Sequence, residues 1–324
     1  MSDVHFRAFK REDAPQINAL FQTVFNKKRP HELWEWLYLE SPGGPGVAVV
    51  GCLDETIVAH GGLIKRPFQL GLNTTFSGQS IDAMTHPAWQ RKGLNQDLQN
   101  HLMPLVKKAG IDLIYGFSNE NSTPGILRYQ SRTALSPFPL LARALRIPGV
   151  RDFNSPLPPS RPADIPEDYE PFDPPLEHRV GTQRSLEYLQ WRYRKPGGIY
   201  REVVLREGGR LRGLGVISIR KQAGMRVAFI GDFLAPREDP KTRKALLALM
   251  IEEAKASGCV LLTSLAFPRS LDRPAYTRSL FLPVPKKLQM ENVVFSVRAL
   301  HDAGAPLSYQ PDAWNLSWGS HDLV

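Results

Sequence analysis

One local pattern occurs twice in this 324-residue chain and restricts its fold more than anything else. Trp36-Leu37-Tyr38 leads to Pro42-Gly43-Gly44, and about 155 residues later Trp191-Arg192-Tyr193 leads to Pro196-Gly197-Gly198. A helical, aromatic stretch precedes each copy and a strand hairpin follows it. The hairpins read as Val47 to Cys52 with Ile57 to Lys65, and Glu202 to Leu205 with Leu211 to Ile219. Such a period is far too long for a solenoid, so it implies two copies of one α/β domain. Between the copies, residues 153–178 hold eight prolines. Proline supplies no ladder donor and cannot continue a helix, so this stretch reads as an extended, stiff linker. The expected organisation is a first domain at 1–152, a linker at 153–178 and a second domain at 179–324.

The first half alternates strand and helix. His5, Arg7 and Phe9 alternate with Val4, Phe6 and Ala8. Asp13 is the expected N-cap of a helix with Pro15 in its first turn and Ile17, Leu20, Phe21, Val24 and Phe25 at helical spacing. A second helix is expected over roughly His31 to Tyr38. After the hairpin, a strand runs from about Ser77 to Thr85. Leu94, Leu98, Leu102, Leu105 and Val106 then line one face of a helix that Gly110 ends. Ile111 to Phe117 reads as a buried strand.

The chemistry concentrates between that strand and that helix. The strand ends at Pro87, and a short loop, Ala88-Trp89-Gln90-Arg91-Lys92-Gly93, opens the helix at Leu94. A helix start leaves backbone N–H groups unpaired and carries partial positive charge, which suits phosphate. Gly93 permits close backbone approach, and Arg91 and Lys92 add charge. These features suit a diphosphate, but neither Gly-Lys-Ser/Thr nor GxGxxG is present, so the loop follows neither the P-loop nor the dinucleotide-fold pattern.

These residues resemble the acetyl-CoA motif of the GNAT superfamily, a Val-x-Pro strand end followed by Gln/Arg-x-x-Gly-x-Gly/Ala. Thr85 and Pro87 fill the strand-end positions, and Gln90 and Gly93 the first and fourth loop positions. Asn95 departs from the final Gly/Ala and narrows the approach to a pyrophosphate. The order of elements over residues 4 to 140 matches the superfamily too. The resemblance implies an α/β fold of two tandem GNAT-like domains, each a mixed, mostly antiparallel sheet flanked by helices, with splayed central strands. It implies acetyl-CoA as co-substrate, held by Ala83, Met84, Thr85, Gln90, Arg91, Lys92, Gly93, Leu94 and Asn95. Asn119 or Asn121, in the Asn-rich turn after the fifth strand, would hydrogen-bond the cofactor or cap the next helix.

The activity implied is direct attack by a primary amine on the thioester carbonyl. A base or water chain must take the amine proton, and a fourth-strand N–H would stabilise the oxyanion. Asp82 is the one carboxylate on the fourth strand. Strict alternation puts it on the face opposite Gln79, Ile81, Ala83 and Thr85, unless a bulge intervenes. Glu120 and His86 are further base candidates. Tyr129 is the nearest tyrosine to the position from which the family protonates the departing thiolate, although that position falls closer to Ile126.

The second half lacks the loop. Arg237-Glu238-Asp239-Pro240-Lys241 stands where the turn would be, without glycine and with two acids, so this copy is expected not to bind CoA. The aromatic tail, Trp314 to Asp322, is expected to fold back as packing. The net charge of +9 suits an anionic small ligand, and the charges are dispersed rather than blocked. The densest zone, Arg201 to Arg226, reads as a solvated sheet face. Neither nucleic acid nor a membrane span is expected. Cys52 and Cys259 have no metal-ligand spacing, which argues against a metal and for a reducing, cytoplasmic setting. The leading expectation is an N-acetyltransferase acting on a small polar amine, such as a nucleotide-linked amino sugar. The alternatives are a peptidoglycan-bridge aminoacyl-tRNA-dependent transferase and a non-catalytic CoA or sugar-nucleotide binder.

Overall fold

The computed structural model describes residues 4–289, 293–301 and 305–321. In chain order the elements begin β1 (His5–Ala8), α1 (Ala14–Phe25), α2 (His31–Tyr38), β2 (Val47–Leu53), β3 (Thr56–Leu70), β4 (Asn73–Thr85), α3 (Leu94–Lys108), β5 (Ile111–Ser118), α4 (Thr123–Tyr129) and β6 (Thr133–Leu135). They continue β7 (Leu140–Ala144), β8 (Val180–Thr182), α5 (Leu186–Tyr193), β9 (Tyr200–Glu207), β10 (Arg210–Gln222), β11 (Met225–Leu234), α6 (Pro240–Ala256), β12 (Leu261–Leu265), α7 (Arg273–Arg278), β13 (Leu282–Pro283), β14 (Val294–Ala299) and α8 (Ala305–Ser308). The chain divides into two compact units, residues 1–135 with 293–309 and residues 136–292 with 310–324.

The first unit is built on a mixed sheet in the order β1-β2-β3-β4-β5-β14-β6. Only β4 and β5 run parallel; the other neighbours are antiparallel. The second unit has the order β13-β7-β12-β11-β10-β9, again with one parallel pair, β11 and β12. Two mixed sheets flanked by helices are what the resemblance implied.

The division differs from a boundary at 153–178. β14, from the far end of the chain, pairs with β5 from Val294↔Ser118 to Ala299↔Leu113 and completes the first sheet. β7, which precedes the prolines, pairs with β12 in the second. An unpaired edge leaves a row of backbone donors and acceptors to satisfy, and here strands distant in sequence satisfy them. The proline stretch is also not a free linker. It lies along the second unit, with Arg161 N–H donating to Gly198 O at 3.0 Å and Ala163 N–H to Tyr193 O at 3.1 Å, and Ala163, Ile165 and Tyr169 are buried.

Helix α3 forms for the reason its spacing suggested. Leu94, Leu98, Leu102 and Val106 repeat every four residues and are buried in one cluster with Val49, Ala59, Leu63 and Ile114. Full burial of one aliphatic side chain contributes about 1.5–3 kcal/mol, so this face fixes where the helix starts. Gly110 follows it with φ 66°. Asp13 does stand at the start of α1, but its side chain does not cap that helix. The carboxylate instead accepts from Arg7 at 2.7 and 2.8 Å and from the Lys10 N–H at 2.7 Å. The Arg7 pair and the Lys10 bond hold it below the usual carboxylate range, against the opposing effect of burial.

Candidate active site

β4 and β5 part company within the first sheet. They pair from Phe76↔Ile111 to Ser80↔Gly116, and residues 81–85 of β4 run on without β5 partners. A strand that loses its neighbour presents free backbone donors and acceptors. The opening therefore offers an extended ligand one strand edge to pair with.

The turn after β4 leads to the start of α3. Pro87–Trp89 forms a short 3-10 turn that His86 caps, its Nδ1 accepting from Ala88 N–H at 3.3 Å. Gln90 turns back and donates to Thr85 O at 3.2 Å, which ties the loop to the end of β4. Arg91 has φ 63° and is exposed. The Lys92 ammonium stands 4.1 Å from the centre of the Trp89 ring. Gly93 has φ 82°, and a Cβ built there would meet nothing within 4 Å. That open space lies at the head of a 15-residue helix, where first-turn amides lack intrahelical partners. Leu94 is buried and anchors the turn.

The other predicted residues gather nearby or take local roles. Ala83 is exposed, Met84 is buried and Thr85 is half-buried. The Asn95 side chain reaches α4, its Nδ2 lying 3.8 Å from where a Cβ on Gly125 would stand. The Tyr129 ring edge lies 4.0 Å from the same point, and Tyr129 is 47% exposed. Asn95 and Tyr129 thus both approach Gly125. Ile126 is buried in the core. Asn119 closes the turn into α4, whose N-cap is Ser122: its Oδ1 accepts from Ser122 N–H at 3.0 Å and its carbonyl from Thr123 N–H at 3.0 Å. Asn121 is exposed in the turn, beside Glu120, also exposed.

Asp82 sits on a bulge with φ 51°. Gly62 pairs with Ile81 but His60 with Met84, so two β4 residues face one on β3. Strict alternation fails here as a result. Ile81 lies across from Gly62 and Thr85 across from Ala59, an odd step apart on β3, so they occupy opposite faces. The Asp82 carboxylate pairs with Arg29 and accepts from the Tyr38 hydroxyl at 2.9 Å. Its carbonyl lies 2.8 Å from His60 Nδ1.

The second unit repeats this arrangement. Asp232 accepts from Arg184 Nε at 2.7 Å and from the Tyr193 hydroxyl at 2.5 Å, beside a register shift between β10 and β11. Burial, reinforced by Asp232, pushes the Tyr193 phenol well above its ordinary range. There the C-terminal tail covers the triad. Ser317 hydrogen-bonds Asp232 at 3.0 Å, Arg184 donates to Ser320 at 3.1 Å, and Arg192 donates to Gly319 O at 2.9 Å. Trp314 and Trp318 are buried; Asp322 lies outside the described residues. The start of α6 is closed as well, because the Asp239 carboxylate accepts from Thr242 N–H at 2.9 Å. That bond, with the Thr242 hydroxyl and Arg212, brings Asp239 to about 2. A carboxylate already occupies the place of an anion.

His60, which the sequence did not single out, is 1% exposed. Burial lowers its pKa, and the neighbouring Asp82 only partly offsets this. A neutral ring with Nδ1–H donating to Asp82 O leaves Nε2 as an acceptor, and Nε2 has no partner among the described residues. The unfolded chain binds this proton near the ordinary 6.5, and the folded chain only at lower pH. Acid therefore favours the unfolded state: the folded state loses stability as pH falls below 6.5 and gains nothing further above it. The slope from one group is at most about 1.4 kcal/mol per pH unit. Urea unfolding between pH 7 and pH 5 should show this slope in the wild type and a shallower one in His60→Gln; equal slopes would refute the assignment.

The open parallel pair, the bulged strand and the glycine turn together define an acyltransferase fold of the GCN5-related kind. Residues 5–129 match the acetyltransferase (GNAT) domain family. Three solved structures share the fold. An Enterococcus faecalis protein of unknown function, assigned to the N-acyltransferases, is 11% identical with a TM-score of 0.60 over 92% of this chain and 73% of its own. A Pyrococcus horikoshii protein assigned to the acetyltransferases is 13% identical, with a TM-score of 0.54 over 99% and 95%. A GCN5-related N-acetyltransferase from Anabaena variabilis is 11% identical, with a TM-score of 0.59 over 93% and 74%. No curated protein matches the chain in sequence. No helix among the described residues is long and apolar enough to cross a membrane.

Proposed function

We propose that the first unit transfers an acyl group, foremost acetyl, from a CoA thioester to a small polar primary amine. The observation that carries this is the alignment of two features on one strand. β4 loses its partner after Ser80, and the turn leaving that strand ends at a glycine under open space at the head of α3. The first suits a pantetheine arm that pairs with strand backbone, and the second suits its diphosphate. Gly93, Leu94 and Asn95 would supply the amides, Arg91 and Lys92 the charge, and residues 83–85 the strand edge.

In this reading the amine attacks the thioester carbon, and a free β4 N–H receives the oxyanion charge. Tyr129, at the α3–α4 junction, protonates the sulfur. Asp82 is already committed to Arg29 and Tyr38, and the matching triad in the second unit stands where the start of α6 is closed. We therefore give Asp82 the role of holding the bulge, with the amine proton leaving through water. The net charge of +9 makes a nucleotide-linked amino sugar the first acceptor to try.

Calorimetric titration with acetyl-CoA, followed by thiol release against a panel of amines, tests the whole reading. Binding together with release for one amine is the expected result. Binding without release from any amine would favour a sensor. Absence of CoA binding would overturn the proposal and leave an aminoacyl-tRNA-dependent transferase.

A further inference from the structure

At the base of the β4–β5 opening lies a buried cation that nothing accounts for. Ser80, Gly116 and Ser296 form one cross-strand row over β4, β5 and β14, and Ser80↔Gly116 is the last pair before the strands separate. Residues paired across a sheet share a face. On that face the Arg132 guanidinium lies on Gly116: a Cβ there would stand 2.8 Å from Arg132 Nη1 and 3.2 Å from Ser80 Cβ. The missing side chain at 116 is what lets the guanidinium reach the sheet.

Arg132 is 7% exposed. Among the described residues no carboxylate, carbonyl or hydroxyl holds it, and its Nε is buried without a partner. Ser296 Oγ, in the same row, is likewise buried and unpartnered among the described residues. The charge nearest in effect is another cation, Arg298, itself bound to Gln130 O at 3.1 Å. A buried charge without a counter-ion is costly, and a buried polar group left unpaired calls for an explanation, a bound ion among them.

We infer that Arg132, over the Ser80–Gly116–Ser296 row, is a carboxylate subsite for a substrate of the acyl transfer, a carboxylate borne either by the acyl group or by the acceptor amine. This rests on the acyl-CoA reading above. The row is one residue from Ile81, where β4 first becomes free, and strands advance about 3.3 Å per residue. A thioester carbonyl on that free edge would place the far end of a short dicarboxylic acyl chain, or the carboxylate of an amino-acid acceptor, within reach of the guanidinium. Ser80 is only half-buried, so the row is open on the β4 side. Burial, with Arg298 adding to it, lowers the Arg132 pKa to about 9, which leaves it charged at neutral pH. A bound carboxylate relieves that penalty, and a planar guanidinium pairs with it through two hydrogen bonds.

Two arms separate the sources. In one, acetyl-, malonyl- and succinyl-CoA are compared as donors. In the other, acetyl-CoA is used with an amino acid and with the amine that remains when its carboxyl group is removed. In one arm the carboxylated substrate should be preferred at least about 30-fold in kcat/KM, the scale of a charge-assisted pair. Arg132→Gln should bring that ratio close to one, Arg132→Lys should keep part of it, and Gly116→Ala, whose methyl displaces Nη1, should lower it. Arg132→Gln should melt no lower than the wild type, because it removes an uncompensated buried charge. No preference in either arm, a preference that survives Arg132→Gln, or a clear fall in melting temperature would each overturn the subsite. If CoA fails to bind at all, the acyl-CoA reading fails with it, and calorimetry tells the two failures apart.

Discussion

Gly93→Leu is expected to raise the dissociation constant for CoA about 100-fold while lowering the unfolding free energy by only about 1–2 kcal/mol. The folding cost is backbone strain, because φ is 82° at this residue and a side chain disfavours the left-handed region. No steric cost adds to it, since a Cβ there meets nothing within 4 Å. The binding cost has a different origin. The leucine would stand in the space over the first-turn amides and displace the diphosphate from them, and each hydrogen bond to a charged group is worth about 1.5–3 kcal/mol. Gly110, at the far end of α3, is the internal control. It too has positive φ, 66°, and open space around a Cβ. Gly110→Leu should cost the same stability and leave CoA affinity alone. Calorimetry and urea unfolding in one buffer measure both quantities. If Gly93→Leu binds CoA as tightly as Gly110→Leu does, the diphosphate does not bind at this turn.

The sequence made some of this site legible because its signals are local. The i, i+4 apolar repeat of α3 and the lone glycine before it placed the turn, and the turn placed the strand end. What escaped was set by tertiary pairing. β14 completes the first sheet from about 180 residues away, and periodicity carries no information about a strand's partner. The bulge at Asp82 moved a carboxylate to the face where Arg29 and Tyr38 wait, which alternation cannot anticipate. One further signal lies in the spacing within each half. Arg29 precedes Tyr38 by nine residues, and Arg184 precedes Tyr193 by nine. Aligning the two halves on their Trp-x-Tyr motifs superposes the two arginines, whereas Asp82 and Asp232 follow their tyrosines by 44 and 39 residues and correspond only through their strands. Arg132 had no such signal. It is one arginine in a short loop, and its meaning comes only from the glycine beneath it and the absence of an acid beside it.

Tyr129→Phe is expected to lower kcat by about 10²-fold, the lower end of what general acid catalysis supplies, with the KM for acetyl-CoA nearly unchanged. The thiolate of CoA leaves more readily when its sulfur is protonated as the carbon–sulfur bond breaks, and a residue that acts only in that step alters kcat rather than binding. Position argues for Tyr129. The core takes Ile126, one turn earlier, so the family's usual place is closed to a hydroxyl. Tyr129 stands on the same side of α4 as Gly125, where Asn95 approaches from α3. Its ring is 47% exposed, with the Arg128 guanidinium 5.5 Å from the ring centre. Loss of the hydroxyl should therefore leave the melting temperature where it was, and that separates a chemical role from a packing one. The result that would remove Tyr129 from the mechanism is an unchanged kcat in a variant that still binds acetyl-CoA. Thiol departure would then need no acid from α4, and the rate would depend on the oxyanion contact along the free edge of β4.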